Sequence, residues 1–350
     1  MATAKIYCKV GDSKRKSVKS KIKDGTVVQI IQEVDKVSTV IAEGVVTIAT
    51  TPPPPPPPVC PPGQHLENGV CVPDTPPPPP TGDLDKFGIK KLHQSIGREW
   101  FSKWDNGHAR SWVSEGIDQR NADPDDPESD LHANTKGSKC IVDGRGKMIM
   151  EGENPRLYIN KDEAKWQNVE MTLGFKAIKA FPTDGSSVFI RLAARSEHQK
   201  EYNCASSGHT MGSFEIKANK TVQLRKELVH PAYADNIIAS MKGPDRGVRW
   251  LCKFVLRNSG SGILSQAYVD TTGKGDNFTK VLEKFDTGNW PMSDSADLDI
   301  FKNAKDGTGV CKKIASPTSI LLEPATSCYL RADGNVVEYD SFSIREIAPA

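Results

Sequence analysis

Arginine and glutamate side chains share one face of a predicted strand, and this pattern is the clearest indication in the sequence of a site that could bind a ligand or catalyse a reaction. In the segment 188–197, Arg191, Arg195 and Glu197 alternate with apolar residues. Alternate residues of a strand point to the same side of the sheet. Two guanidinium groups and a carboxylate are costly on a sheet face unless they pair or bind a ligand. The pattern therefore predicts a polar, ligand-binding face.

Three further predicted strands show the same alternation of polar and apolar residues. Their polar members are Glu215 and Lys217, then Arg225 and Glu227, and then Gln266, Tyr268 and Asp270. We expect these strands to extend the polar face.

Catalysis is a second interpretation of the same face. A lyase needs a general base, for which the chain offers Tyr268 and the histidines His198, His209 and His230. A retaining glycosidase needs two carboxylates about 5 Å apart, and Glu215 and Glu227 lie on neighbouring predicted strands. Isolated histidines in sandwich loops are usually structural, so we assign no catalytic residues. If the chain were an enzyme, its catalytic residues would be Arg191, Arg195, Glu197 and Tyr268.

Two acidic stretches offer the oxygen ligands that calcium prefers. One contains Asp294, Asp297 and Asp299, and the other contains Asp123, Asp125 and Asp126. Neither has EF-hand spacing, so we expect solvated acidic loops. The sequence predicts no cofactor, and Ca²⁺ at Asp294, Asp297 and Asp299 stays open as the alternative.

The chain contains eight cysteines, and none has the CxxC spacing of a metal site. Cys60 and Cys71 flank Asn68-Gly69, a dipeptide that favours a tight turn and would bring the two sulfurs together. We expect a Cys60–Cys71 disulfide, worth roughly 3 kcal/mol in the chain-entropy model. We also expect a Cys311–Cys328 bridge, because both residues lie in or beside predicted loops.

Strands are the elements that must position these residues. After residue 83, β-branched and aromatic runs are separated by turns rich in Gly, Asp, Asn and Pro, without a helical period. This spacing predicts an all-β, two-sheet jelly-roll sandwich over residues 83–350. The predicted strands are 140–142, 148–150, 157–159, 169–178, 188–195, 212–217, 221–227, 248–257, 262–269, 327–332 and 338–347.

Two proline runs, 52–58 and 76–80, precede the sandwich. Proline fixes φ and removes a backbone donor, so each run should form polyproline II, a semi-rigid spacer. We therefore divide the chain into a small β module for anchoring or docking (1–50), a proline-rich linker with the Cys60–Cys71 clip (51–82) and the sandwich (83–350). The module has about four predicted strands, at 4–10, 26–31, 37–42 and 45–49.

Charge and hydropathy exclude several classes of protein. The 350 residues carry a net charge of +2, so no overall field favours nucleic acid. No apolar run approaches the ~20 residues of a membrane span, and the N-terminal residues lack the apolar core of a signal peptide. The cysteine count nevertheless favours an extracellular or virion surface, reached through a trimmed leader or within an assembly such as a virus particle.

Short motifs in the large region resemble those of concanavalin A-like jelly-roll domains, including ones behind proline-rich tethers in archaeal and viral surface proteins. The resemblance covers roughly residues 83–350 and implies two curved antiparallel sheets, with a concave face that holds glycans in relatives. Alginate-lyase-like members carry a Gln-x-His strand and glucanases carry a Glu-x-Asp-x-Glu strand, and this chain has neither. The motifs are Asp85-Lys86-Phe87-Gly88, Gly97-Arg98-Glu99-Trp100-Phe101, Trp166-Gln167-Asn168-Val169-Glu170, His230-Pro231-Ala232-Tyr233 and Ser341-Phe342-Ser343-Ile344-Arg345-Glu346-Ile347.

We expect a non-enzymatic, surface-displayed attachment protein, such as a virion decoration or fibre component, whose sandwich binds a glycan or cell-surface ligand. A protein scaffold such as a capsid would hold residues 1–50, a homo-oligomer stays open, and nucleic acid is not expected. The alternative is a polysaccharide lyase or glycoside hydrolase with an atypical site. Trp290, in the predicted turn 286–291, offers a ring for sugar stacking. The predicted ligand-binding residues are Arg191, Arg195, Glu197, Glu215, Lys217, Gln266, Tyr268 and Trp290.

Overall fold

The structure of the chain, a computed structural model, divides into two compact units, Met1–Pro76 and Pro77–Ala350. It describes residues 83–115, 121–133, 136–159, 165–178, 188–197, 210–217, 221–241, 245–303, 316–332 and 337–350, together with the backbone of six strands before residue 83 and of a helix to residue 308. The proline runs lie outside the described residues. The linker and the boundaries at residues 50 and 82 therefore stay predictions.

The described backbone of the first unit forms three antiparallel strand pairs. β1 (Thr3–Cys8) pairs with β2 (Lys16–Lys21), and β3 (Val27–Val34) pairs with β4 (Val37–Val45). β5 (Gln64–Glu67) pairs with β6 (Val70–Pro73). The first four strands lie within the predicted small module, although their bounds differ from the predicted ones.

Two antiparallel sheets form the second unit, as the sequence predicted. The strands of one sheet, the front sheet, are β9 (Asn121–Asp123), β10 (Asp126–His132), β13 (Arg156–Ile159), β15 (Val188–Ser196), β16 (Thr210–Lys217), β17 (Thr221–Val229), β18 (Ala232–Tyr233), β19 (Ile237–Ser240) and β23 (Ser327–Arg331). The strands of the other, the back sheet, are β7 (Ser95–Phe101), β8 (Arg110–Val113), β11 (Lys139–Val142), β12 (Lys147–Glu151), β14 (Val169–Ala177), β20 (Arg249–Ser259), β21 (Gly262–Asp270), β22 (Thr279–Asp286) and β24 (Val337–Ile347).

The front sheet has the strand order β18-β17-β16-β15-β23-β13-β10-β9, and β19 also pairs with β17. The back sheet has the strand order β22-β21-β20-β14-β24-β12-β11-β8, and β7 also pairs with β24.

Apolar side chains from the inner faces of both sheets form one core. Leu192 and Phe214 come from the front sheet, and Met171 and Phe254 come from the back sheet. Each buried side chain of this kind contributes about 1.5–3 kcal/mol relative to an exposed one. Trp250 belongs to the same core. Because the inner faces are apolar, the alternating polar residues lie on the two outer faces, which the core separates.

One helix, α1 (Ser295–Thr308), follows β22 and interrupts the all-β pattern that the sequence predicted. Asp294 starts the helix as its N-cap, because Oδ1 accepts hydrogen bonds from the backbone N–H groups of Ala296 and Asp297 at 2.8 and 3.2 Å. The helix packs beside β17 and β18 of the front sheet. No helix among the described residues is long and apolar enough to cross a membrane.

Candidate functional site

A row of charged and polar residues crosses the outer face of the front sheet. Arg156 of β13 lies opposite Arg331 of β23, which lies opposite Arg191 of β15. Arg191 in turn lies opposite Glu215 of β16, and Glu215 lies opposite Gln223 of β17. The row exists because the strand register aligns the polar positions of five neighbouring strands. We call the outer face that carries this row the front face.

A second row, two residues further along the strands, carries aromatic and small side chains. The rings of Tyr158 and Tyr329 lie 5.0 Å apart and form, with Ala193, an apolar cluster separate from the main core. Ser213 and Arg225 continue this row on the next two strands. The front face therefore places aromatic rings beside guanidinium and carboxylate groups, a combination that suits recognition of polar ligands.

Glu215 is the electrostatic centre of the front face. Its carboxylate contacts the Arg191 guanidinium, Nη1 of Arg225 at 3.3 Å and the Gln223 amide. Burial alone would raise the pKa of Glu215, but the two guanidinium groups and the amide hold it below its usual range. Glu215 is therefore a carboxylate at neutral pH, with its oxygens already accepting hydrogen bonds.

The half-buried rim of the front face is built around Tyr233. The Arg225 guanidinium lies 3.7 Å from the centre of the Tyr233 ring, which is a cation–π contact. His230 Nδ1 lies 2.6 Å from Oε1 of Glu227 on the same rim. Burial, together with the Glu227 charge, raises the pKa of Tyr233 to about 12, against the opposing effect of Arg191 and Arg225. The Tyr233 phenol is thus neutral under ordinary conditions.

Arg195 was predicted to share the front face with Arg191, and the structure places it elsewhere. The pairing of β15 with β23 shifts register between Ala193 and Ser196, and Arg195 has a positive φ of 53°. Its guanidinium donates to the carbonyl oxygen of Gln167 at 2.7 and 3.1 Å and to that of Leu321 at 3.0 Å. Burial lowers the pKa of Arg195 to about 10. Because of this β-bulge, Arg195 does not lie on the front face, and its guanidinium connects β15 to the backbone at Gln167 and Leu321.

Glu197 and Lys217 lie at the margin of the predicted site. Glu197 follows the last residue of β15, and its Oε2 lies 3.4 Å from Oγ1 of Thr326. Lys217 ends β16 and is half-buried, on the same side of the strand as Glu215. Of the predicted ligand-binding residues, Arg191, Glu215 and Lys217 thus share the front face, and none of the described contacts connects Glu197 to Arg191.

Gln266 and Tyr268 belong to the opposite side of the sandwich. Both lie on β21 of the back sheet and alternate with the core residues Ala267 and Val269. They therefore point outward from the back sheet, where Gln266 Nε2 donates to Oε2 of Glu283 at 2.7 Å. The core separates Tyr268 from Arg191. The predicted catalytic set of Arg191, Arg195, Glu197 and Tyr268 is not assembled.

Trp290 is buried, with 1% of its surface exposed, and packs into the core, so the prediction of an exposed stacking ring was wrong. Its Nε1 donates to the backbone oxygen of Asp235 at 2.5 Å, and Lys226 Nζ lies 5.6 Å from the ring centre. Lys226 pairs in turn with Asp286 of β22 at 2.7 Å. Trp290 thus packs beside an ion pair that connects β17 of the front sheet to β22 of the back sheet.

The two carboxylates considered for glycosidase chemistry do not face each other. Glu215 lies opposite Gln223, whereas Glu227 lies opposite Thr210, four residues further along β17 than Gln223. Four residues of strand span about 13 Å, whereas a retaining pair is about 5 Å apart and an inverting pair about 6.5–9.5 Å apart. His198 and His209 lie outside the described residues.

The acidic stretches considered for calcium make other contacts. Asp294 caps α1, and Asp299 pairs with Lys302 at 3.6 Å on the helix surface. Asp123 pairs with Arg110, which also contacts Asp125 at 3.3 Å. Within the described ranges, no group of three His, Cys, Asp or Glu side chains has the arrangement of a metal site.

Cys328 is a free, buried thiol, and burial raises its pKa to about 12. The predicted Cys311–Cys328 bridge is therefore not formed, because Cys328 points into the core from β23. Cys311 and Cys60 lie outside the described residues, as does the side chain of Cys71, so the Cys60–Cys71 clip stays a prediction.

Sequence reasoning missed a charged cluster on the outer face of the back sheet. Glu170 of β14 contacts Lys253 of β20 at 2.8 Å and Arg345 of β24 at 3.4 Å, and Arg345 contacts Asp85 at 3.2 Å. The cluster is buried beneath the segment 83–94. The available signal was the alternation of Glu170 and Lys253 with core residues on β14 and β20.

No family model and no curated protein matches the sequence. The similar solved structures include the Ca²⁺-bound VIP36 exoplasmic/lumenal domain, at 8% identity over 71% of this chain and 93% of that one, with a TM-score of 0.42. A protein of unknown function with a galectin-like fold from Bacillus subtilis has 12% identity over 68% and 100%, with a TM-score of 0.38. Basic winged bean lectin with Tn-antigen has 9% identity over 68% and 98%, with a TM-score of 0.35. The strand order of this chain itself shows that the described part of the large region is a sandwich of two antiparallel sheets.

Proposed function

We propose that this chain is a non-enzymatic attachment protein that binds carbohydrate with the front face. The observation that carries the proposal is the half-buried rim, where Tyr233, Arg225 and Arg331 lie near the buried Glu215 and Tyr329. Sugar rings present both apolar C–H faces and hydroxyl groups. Aromatic rings cover the first, and fixed guanidinium and carboxylate groups bind the second.

The chemistry of the front face favours binding over turnover. Glu215 is ionised and already contacts three side chains, so it cannot donate a proton as a general acid at neutral pH. The raised pKa of Tyr233 makes its phenol a poor general base. Glu215 and Glu227 lie too far apart in register for paired-carboxylate chemistry. Neither Glu215, nor Tyr233, nor the pair of Glu215 and Glu227 therefore meets the requirements of a lyase or a glycosidase.

The way the chain enters the sandwich is compatible with display. The segment 83–94 crosses the outer face of the back sheet, where the N–H of His93 donates to Glu170 at 2.9 Å. The segment 83–94 therefore lies on the side of the sandwich opposite the front face. In the proposed arrangement, residues 1–50 bind a protein scaffold on a virion or cell surface, the proline-rich linker provides reach, and the front face meets the glycan.

A glycan array probed with the full-length chain tests carbohydrate binding. Tyr233→Ala and Arg225→Ala should reduce binding to the glycans that the wild type binds, because each change removes a side chain of the half-buried rim. Tyr268→Ala is the matched control, since Tyr268 is a half-buried tyrosine on the opposite outer face, and it should bind as the wild type does.

Binding that is unaffected by both rim variants, or an array without any bound glycan, would contradict the proposal. The same glycans should also be incubated with the protein and assayed for unsaturated products and new reducing ends. Catalytic release of either product that Glu215→Gln abolishes would establish an enzyme instead.

A further inference from the structure

The turn between β21 and β22 carries an exposed asparagine in a sequence that an oligosaccharyltransferase recognises. Asn277, Phe278 and Thr279 form the pattern Asn-x-Thr, without proline at the middle position. Asn277 and Thr279 are both exposed, and Thr279 is the first residue of β22. The asparagine that would accept a glycan and the threonine that the transferase must reach are therefore both open to solvent.

The Asp270 carboxylate, and not the Asn277 side chain, holds the backbone of this turn. Asp270 accepts hydrogen bonds from the N–H of Gly275 at 2.7 Å and from the backbone N–H of Asn277. In another turn an asparagine has this role, since Asn106 Oδ1 accepts a hydrogen bond from the N–H of His108 at 3.1 Å. The Asn277 side-chain amide makes no hydrogen bond within the described part of the chain. Its nitrogen can therefore be modified without breaking a contact that holds the turn.

The turn folds over the outer face of the back sheet. Nζ of Lys253, a buried residue of that face, lies 4.9 Å from the centre of the Phe278 ring. The carbonyl oxygen of Gly275 accepts a hydrogen bond at 2.8 Å from the N–H of Lys90, in the segment 83–94 that covers the back sheet. A group attached to Asn277 would thus lie on the side of the sandwich opposite the front face.

We propose that Asn277 carries an N-linked glycan, on a chain that travels to the cell or virion surface through a compartment with an oligosaccharyltransferase. This inference goes beyond the proposed carbohydrate binding. Nδ2 of Asn277 attacks the anomeric carbon of an oligosaccharide that is attached to a polyprenol pyrophosphate. The new C–N bond forms as the C–O bond to the pyrophosphate breaks, the amide proton passes to a base of the transferase, and the lipid pyrophosphate leaves. The glycan then covers the back face and leaves the front face open.

Residue-level mass spectrometry of the full-length chain tests the inference. The chain is secreted from a eukaryotic cell line behind a cleavable signal sequence, and its glycans are removed with peptide-N-glycosidase in heavy-oxygen water. This enzyme converts a glycosylated asparagine into a labelled aspartate, so residue 277 should carry the label in most chains. The measurement must resolve single residues, because the second Asn-x-Thr sequence, at Asn219, lies outside the described residues.

Variants of the recognised threonine separate enzymatic transfer from background labelling. Thr279→Ala should abolish the label at Asn277, whereas Thr279→Ser keeps a hydroxyl group and should retain it. Asn236→Gln is the matched control, since Asn236 is an exposed asparagine followed two positions later by Ile238 and not by threonine or serine. It should leave the label at Asn277 unchanged.

A secreted, folded chain without the label at Asn277 would overturn the glycosylation site, as would equal labelling of Thr279→Ala and the wild type. Removal of the glycan should leave binding to the glycan array unchanged, and loss of that binding would contradict the placement of Asn277 away from the front face. A label at Asn277 without array binding supports the glycosylation site and removes the proposed carbohydrate binding. Array binding by a chain that is unlabelled at Asn277 does the reverse.

Discussion

The two outer faces of the sandwich both bury charge, but they neutralise it in different ways. On the back face, the Glu170 carboxylate meets Lys253 at 2.8 Å and Arg345 at 3.4 Å, and Asp85 meets Arg345 at 3.2 Å. Two carboxylates thus balance two cations. On the front face, the single carboxylate of Glu215 contacts the guanidinium groups of both Arg191 and Arg225, and the rim around Tyr233 stays half-buried.

The back face is covered by the chain itself. The backbone N–H of His93 and its Nδ1 lie 2.9 and 3.0 Å from Glu170 Oε2, and the N–H of Lys90 donates to the carbonyl oxygen of Gly275 at 2.8 Å. The segment 83–94 therefore supplies both the cover and part of the counter-charge. The back face, which the chain itself covers, holds the start of the sandwich to the back sheet, whereas the half-buried rim of the front face is suited to an external partner.

The largest effect should come from breaking the back-face cluster. Glu170→Gln removes the negative charge between Lys253 and Arg345, which are both buried. Leaving buried cations uncompensated costs about 3–5 kcal/mol, and we expect that loss in the free energy of unfolding measured with urea. Glu283→Gln, which removes the exposed partner of Lys280, should have little effect. Equal stability of Glu170→Gln and the wild type would show that the charged cluster on the back face does not stabilise the fold.

Acid should weaken the back face in a defined pH window. Burial opposes ionisation of Glu170, but Lys253, His93 and Arg345 lower its pKa from 4.5 to about 2. A carboxylate with a depressed folded pKa contributes stability above its unfolded pKa and loses it as pH falls through the folded value. We expect roughly 3 kcal/mol to disappear between about pH 4.5 and 2. Unfolding measured against pH should therefore show that Glu170→Gln differs from the wild type less at pH 2 than at pH 6.

The front face should respond to the equivalent change in a different way. Glu215→Gln leaves Arg191 buried without its carboxylate, and we expect a loss of about 1–3 kcal/mol, smaller than on the back face because Arg225 is partly exposed. Added sulfate should restore part of this stability, since an anion can reach the rim. Sulfate should not restore Glu170→Gln relative to the wild type, because the chain covers that site. Equal rescue of both variants would erase the distinction between the faces.

How far the sequence predicts these two faces depends on what sets each feature. Alternation in strands is local, so the two-sheet fold and the outward direction of Arg191 and Glu215 followed from the residues. Which sheet a strand joins is a long-range property, so Tyr268 could not be assigned to the opposite face from Arg191. The bulge that redirects Arg195 depends on pairing with β23. The helix α1 could have been predicted, because Asp294 followed by Asp297 is a typical N-cap pattern at the start of a helix.

The smallest predicted effect isolates the aromatic rim of the front face. The Arg225 guanidinium lies 3.7 Å from the Tyr233 ring centre, a contact worth about 0.5–2 kcal/mol. Tyr233→Leu should lose that amount in urea unfolding and weaken glycan binding, whereas Tyr233→Phe keeps the ring and should stay close to the wild type in stability. If Phe and Leu behave alike, the ring is not what holds Arg225 in place. If Phe binds glycan as tyrosine does and Leu does not, the rim recognises sugar through the aromatic face and not through the phenol.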